Sequence, residues 1–138
     1  MARTYVFDTS AWFALLEDED GADVVEGLLR EAAEGTAQVL TSFMTFMELA
    51  YITIRERGDR EAEERVQLIA KTPAVRMESN VHLAALAARL KSNHSISVAD
   101  SWIAALALEQ AATVRHPTSP RLLRASRRAS LESFIFAI

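Results

Sequence analysis

The chain has 138 residues, of which half are hydrophobic and a quarter are charged, and its formal net charge is −4. This length and composition predict one folded domain with a real core and exclude a mostly disordered chain. The absence of cysteine excludes disulfides and thiolate metal sites. No apolar stretch is long enough to span a bilayer, so we expect a cytoplasmic protein without a membrane partner. The excess of acids argues against broad, nonspecific nucleic-acid binding, but it is compatible with a nuclease that meets phosphate through a metal ion.

Strand-like and helix-like segments alternate along the chain. In chain order they predict a strand over residues 5–7, helices over 11–16 and 22–34, a strand over 38–41, helices over about 42–57 and 59–71, a strand over 74–77, helices over about 80–90 and 98–110, and a strand over 112–115. Strands separated by helices of this length predict a parallel sheet covered on both faces. In such a sheet, ligands bind beyond the carboxyl ends of the strands.

Capping residues mark where the predicted helices begin and end. Gly35 and Gly58 end two of them, since glycine is favoured just after a helix. The residues predicted to cap helix N-termini are Thr41 or Ser42, Asp59, Ser79 or Asn80, and Ser97. Asp8 follows the first strand directly and therefore lies at the carboxyl edge of the sheet. Glu48 and Asp100 lie early in helices that can begin at the same edge.

Three almost purely apolar stretches each contain a single charged residue, and that residue is an acid. They are residues 4–16 with Asp8, 35–54 with Glu48, and 92–108 with Asp100. Removing an unpaired carboxylate from water is costly, and no Lys or Arg lies nearby in the sequence to neutralise any of the three. We therefore expect the three acids to converge around one divalent ion that prefers oxygen ligands, Mg²⁺ or Mn²⁺.

Each acid also has a purely structural interpretation. Asp8 can cap the following helix. Glu48 can point to solvent or bond to a hydroxyl, and Asp100, three residues after Ser97, can complete a capping box. Other phosphoryl-transfer motifs are missing from the sequence: position 10 is Ser where an aspartyl-phosphate phosphatase needs a second Asp, no P-loop is present, and the three histidines lack metal-ligand spacing.

The ordered set of these segments resembles the PIN domain, and specifically the small single-domain ribonucleases that act as VapC-type toxins of toxin-antitoxin pairs. The matching pieces are residues 5–11, Thr41-Ser42 with Glu48-Leu49, and residues 97–107, which together cover 4–115 in the family's order. The resemblance implies a three-layer α/β/α sandwich with a parallel sheet of four to five strands, a Mg²⁺ or Mn²⁺ site and RNA endonuclease activity. It also implies a homodimer and a cognate antitoxin as partner.

Carried over residue by residue, the resemblance assigns Asp8, Glu48 and Asp100 as the catalytic and metal-binding acids, with Ser10 as a supporting polar group. In the mechanism that we hypothesise, Asp8 and Asp100 bind the ion directly, and Glu48 binds it or orients its water. Because crowded carboxylates repel, one of them should have a raised pKa, and activity should fall below about pH 6.

The chain departs from the family pattern after the fourth predicted strand. PIN domains commonly carry a further Asp there, but residues 116–120 contain no acid. We therefore divide the chain into a PIN-like domain over 1–115 and an atypical basic C-terminal segment over 116–138. That segment is either the product of a shifted reading frame or a genuine basic tail that touches RNA phosphates or a partner. We also expect that residues 132–138 can form an edge strand.

A second function stays open beside the ribonuclease. A catalytically impaired PIN-like module could act through dimerisation or through binding of an antitoxin or another partner. Phe43, Met47 and Ile54 on the long helix, together with the charged residues 61–65, could form the docking surface for such a partner helix. The alternative is that these three apolar residues are simply core.

Overall fold

The structure, a computed structural model, describes residues 3–115. Its elements are, in chain order, β1 (Arg3–Phe7), α1 (Thr9–Leu16), α2 (Ala22–Glu34), β2 (Ala37–Ser42), α3 (Phe43–Arg57), α4 (Asp59–Ala70), β3 (Val75–Met77), α5 (Val81–Asn93), α6 (Val98–Gln110) and β4 (Thr113–Arg115). The predicted order of strands and helices is confirmed. The predictions for residues 116–138, including the final edge strand, the shifted frame and the missing acid, lie outside the described residues.

The four strands form one parallel sheet in the order β3-β2-β1-β4. β1 pairs with β2 from Arg3 opposite Ala37 to Phe7 opposite Thr41, and with β4 from Tyr5 opposite Thr113 onward. The strand order reverses at β1, because β2 and β3 lie on one side of it and β4 on the other. Open parallel sheets form a ligand crevice at such a reversal, beyond the carboxyl ends of the strands.

The sheet separates two apolar cores, one on each face. Val6 and Leu40 face the core formed with α5 and α6, whereas Phe7 and Val39 face the core formed with α1 to α4. Neighbouring residues of one strand belong to opposite cores because strand side chains alternate in direction. The predicted three-layer α/β/α sandwich is therefore confirmed, and β1 is buried between its two helical layers.

The predicted N-caps agree with the structure except at α4. Those confirmed are Ser42 at α3, Asn80 at α5 and Ser97 at α6. The prediction that Asp59 caps α4 is wrong, because the helix begins at Asp59 itself and the preceding Gly58 is its N-cap. Gly58 has a positive φ of 93°, a conformation that favours glycine, and it is the single residue between α3 and α4. Asp59 instead lies in the first turn, where a negative charge is also favourable.

A buried arginine holds the far end of α1. The side chain of Arg65 on α4 is 8 % exposed and lies 3.3 Å from the carboxylate of Glu17, the residue that ends α1. Its guanidinium also lies 3.6 Å from the carboxylate of Glu61, and its Cζ lies 5.9 Å from the centroid of the Phe13 ring. A buried guanidinium needs such partners, so α1 is held against α4 at this end. Its other end follows Asp8.

Trp12 connects α1 to the sheet through a buried hydrogen bond. Its indole N–H donates to the hydroxyl of Thr41 at 3.2 Å, and its ring packs edge-on against Phe7. We expect Thr41→Val to lower the free energy of unfolding by about 1–3 kcal/mol, because the change leaves the buried indole N–H without an acceptor. Urea unfolding measures this cost.

Thr53→Val is the matched control for Thr41→Val. The Thr53 hydroxyl is equally buried, but it has no hydrogen-bond partner among the described residues. Its replacement should leave the free energy of unfolding unchanged or raise it. Equal losses in the two variants would mean that the Trp12 hydrogen bond contributes nothing to stability.

Candidate metal centre

Asp8 lies where β1 ends and α1 begins, at the reversal of strand order. Its Oδ1 accepts the backbone N–H of Ala11 at 2.8 Å, and its own N–H donates to the carbonyl of Arg115 on β4 at 3.2 Å. Asp8 is thus the N-cap of α1, as the structural interpretation predicts. Capping uses only part of a carboxylate that can accept about four hydrogen bonds or metal contacts, so a second role is compatible with it.

The environment of Asp8 disfavours a negative charge. Its side chain is almost completely buried. Its pKa is raised from the usual 3.8 to about 7. Burial is the largest cause and the negative charges of Asp100 and Glu48 add to it, while the backbone N–H groups of Ala11 and Ser10 lower the pKa. Near neutral pH, therefore, Asp8 exchanges between its protonated and ionised forms.

Glu48 reaches the same edge from the second turn of α3. It is half-buried, and its Oε1 accepts a hydrogen bond from the hydroxyl of Thr9, the first residue of α1. The interpretation that Glu48 bonds to a hydroxyl is therefore correct, but the donor is in another helix. Sequence reasoning singled out Ser10, whose side chain is exposed, and missed Thr9, which is buried. No signal in the sequence relates Thr9 to a residue 39 positions away.

Asp100 is the third residue of α6 and is half-buried. Its backbone N–H donates to the hydroxyl of Ser97 at 3.0 Å, which confirms Ser97 as the cap. A complete capping box would also have the carboxylate of Asp100 accept the N–H of Ser97. That reciprocal bond is absent from the hydrogen bonds of residues 3–115, so the Asp100 carboxylate is not used in capping.

The structure brings Asp100 and Glu48 close enough to Asp8 to repel a negative charge on it. Both Asp100 and Glu48 raise the pKa of Asp8. None of the three forms an ion pair with a Lys or Arg in the described part of the chain. The site therefore has uncompensated negative charge and hard oxygen donors, which is the chemistry that Mg²⁺ or Mn²⁺ fits.

The oxygens are not preassembled around one point. Over residues 3–115, no group of three His, Cys, Asp or Glu side chains is placed to hold a metal ion together. Repulsion acts over many ångströms, whereas ligation requires every oxygen to lie about 2.0–2.6 Å from the ion. Both observations are consistent if side chains shift when a cation binds. Joint metal binding by Asp8, Glu48 and Asp100 stays a prediction.

Comparisons with known proteins agree with this architecture. A model of the PIN domain family matches residues 5–114, from β1 to β4. No curated protein matches the chain. Within residues 3–115, no helix has both the length and the apolar character needed to cross a bilayer.

Solved structures share the fold at low sequence identity. The sarcin-ricin loop cleaving toxin VapC20 of Mycobacterium tuberculosis is similar with a TM-score of 0.65 and 19 % identity, over 81 % of this chain and 88 % of that chain. VapBC2 of Rickettsia felis, bound to a DNA fragment from its promoter, has a TM-score of 0.64 and 14 % identity, over 80 % of this chain and 85 % of that chain. A toxin-antitoxin complex from Klebsiella pneumoniae has a TM-score of 0.55 and 16 % identity, over 80 % of this chain and 82 % of that chain. The family match spans all four strands and the three acids, and the chain belongs to the PIN domain family.

Proposed function

We propose that this chain is a metal-dependent endoribonuclease that cleaves RNA phosphodiesters in the cytoplasm and acts as the toxin of a toxin-antitoxin pair. The observation that carries the proposal is the electrostatic environment of Asp8. A buried carboxylate at the reversal of strand order, next to two more acids and without a cationic partner among the described residues, is unfavourable unless a cation binds there. The PIN family and an RNA-cleaving structural neighbour support the same reaction class.

In this proposal Asp8, Glu48 and Asp100 would hold Mg²⁺ or Mn²⁺. When bound, such an ion supplies a water of lowered pKa and neutralises charge that develops on the phosphate. Asp8 must release its proton first, because the ligand form is the carboxylate. The cap to Ala11 keeps Asp8 at the junction of β1 and α1, while the hydroxyl of Thr9 restrains Glu48.

Cleavage of a labelled, structured RNA with Mn²⁺ at pH 8 tests this function. We expect Asp100→Asn to lower the cleavage rate at least about 100-fold, since the neutral amide oxygen lacks the negative charge that would balance the ion. Glu109→Gln, at the exposed end of the same helix, is the matched control and should cleave at the wild-type rate. Wild-type cleavage by Asp100→Asn would contradict the assignment. A wild-type protein that binds Mn²⁺ but does not cleave RNA would favour the catalytically impaired binding module.

We further propose that the antitoxin docks on the outer face of α3. Met47, Tyr51 and Ile54 recur there at helical spacing and are 55 %, 38 % and 44 % exposed. The interpretation of Met47 and Ile54 as core is therefore wrong, whereas Phe43 is half-buried against Trp102. An apolar stripe of this kind fits an amphipathic partner helix. One structural neighbour is a toxin-antitoxin complex, which supports the kind of partner, and a homodimer stays part of the proposal.

A further inference from the structure

We propose that Thr9 is a positioning residue that sets how tightly this site holds a divalent cation, because its hydroxyl fixes Glu48 relative to Asp8. The inference rests on the proposed metal centre. It adds a residue that neither the acids themselves nor the expected Ser10 supplies. Three observations carry it: the single restraint on Glu48, the rigidity of Thr9, and the adjacency of Thr9 to Asp8.

Glu48 depends on Thr9 for its side-chain position. A glutamate has three side-chain torsions, and ordering them has an entropic cost. In the described part of the chain, Glu48 forms no ion pair, and its one side-chain hydrogen bond comes from Thr9. Without that bond, the carboxylate could move away from Asp8 and relieve the repulsion between them.

Thr9 is well suited to supply this restraint. Its side chain is 6 % exposed, so water competes little for the hydroxyl. Threonine is branched at Cβ, which restricts its first side-chain torsion in a helix. A hydroxyl that donates to a carboxylate makes a charge-assisted hydrogen bond, which is stronger than one between neutral groups.

The same helical turn therefore places two of the three acids. Asp8 is held directly by the N–H of Ala11, and Glu48 is held indirectly by the hydroxyl of the residue that follows Asp8. The turn cannot shift freely, because α1 is also held at its far end by Arg65. Removal of a group that hydrogen-bonds to a metal ligand and orients it typically weakens metal binding about 10- to 100-fold.

Isothermal titration of the full chain with Mn²⁺ at pH 8 tests the role of Thr9. We expect Thr9→Val, which keeps the shape but removes the hydroxyl, to weaken Mn²⁺ binding about 10-fold or more. Thr9→Ser should stay within about 3-fold of the wild type, since it keeps the donor. Thr53→Val removes another buried threonine hydroxyl, one without a partner among the described residues, and should bind Mn²⁺ like the wild type. Should Thr9→Val fail to fold, Thr9→Ala carries the same comparison.

A double variant separates positioning from a general loss of structure. In a Glu48→Ala background, Thr9→Val should weaken Mn²⁺ binding no further, because the group that Thr9 holds is gone. Unchanged or tighter Mn²⁺ binding by folded Thr9→Val, or an equal loss in both backgrounds, would overturn the role of Thr9 and leave the metal centre intact. A wild type that binds no Mn²⁺ would overturn both the metal centre and this role.

Discussion

Asp8→Asn is expected to make the metal-free protein more stable at pH 8. In the folded chain the pKa of Asp8 is about 7, against the usual 3.8, so the folded state holds this proton more tightly than the unfolded state does. The contribution of Asp8 to the wild-type free energy of unfolding should therefore fall as the pH rises from about 4 to about 8, by up to about 4 kcal/mol. Asparagine has no charge to desolvate and is an equally good N-cap.

Urea unfolding in the presence of a chelator at pH 4 and pH 8 measures this difference. The two proteins should be nearly equally stable at pH 4, where folded Asp8 is protonated, and Asp8→Asn should be the more stable one at pH 8. Asp20→Asn, which changes an exposed acid outside the helices, should track the wild type at both values. A loss of stability in Asp8→Asn at pH 8 would show that the Asp8 carboxylate is well compensated in the folded chain.

Mn²⁺ is expected to offset much of the stability that the wild type loses as the pH rises. At 100 times its dissociation constant, a ligand of the folded state alone adds about 2.7 kcal/mol to the free energy of unfolding. Because Asp8 must lose its proton to bind the ion, Mn²⁺ affinity should fall about tenfold for each pH unit below 7. The sequence led us to expect activity to fall below about pH 6. The structure places the start of this fall near pH 7, because burial of Asp8 adds to the repulsion from the neighbouring acids.

Thermal unfolding at pH 6, 7 and 8, with and without Mn²⁺, follows this stabilisation. The melting temperature should rise with Mn²⁺ at pH 8 and rise only about half as much at pH 6, because a tenfold weaker affinity leaves about 1.4 kcal/mol of the roughly 2.7 kcal/mol. Asp8→Asn should show no rise at any of these values, because its amide cannot become an anionic ligand. An equal rise at pH 6 and pH 8, or a rise that survives in Asp8→Asn, would place Mn²⁺ elsewhere on the protein.

The architecture follows from features that act locally in the sequence. Apolar periodicity and caps such as Ser97 decide where helices begin, and strands separated by helices must form a parallel sheet. The isolation of Asp8, Glu48 and Asp100 in apolar stretches singled out these acids, and the structure places Glu48 and Asp100 near enough to Asp8 to raise its pKa. A charged residue with no partner in its own segment must be compensated by groups from other parts of the fold, so an isolated acid in an apolar stretch can be recognised from the sequence alone.

Contacts between segments could not be predicted in this way. Nothing in the pattern distinguishes Thr9 from Ser10 as the partner of Glu48, because the choice depends on how α1 packs against α3. The exposure of Met47 likewise depends on which face of α3 the neighbouring elements cover. Asp59 is a residue type that often caps helices, but Gly58, with its positive φ, takes the N-cap position of α4 and Asp59 becomes the first residue of the helix.

The two cores on opposite faces of the sheet have a consequence for cooperativity. Asp8 and Glu48 belong to elements on one face, while Asp100 begins a helix that packs on the other. A cation held by all three would add a link between layers that otherwise meet through the strands between them and through the contact of Phe43 with Trp102. Its binding energy would therefore be lost whenever either layer opens alone, so the cation would make partial unfolding of either layer less favourable.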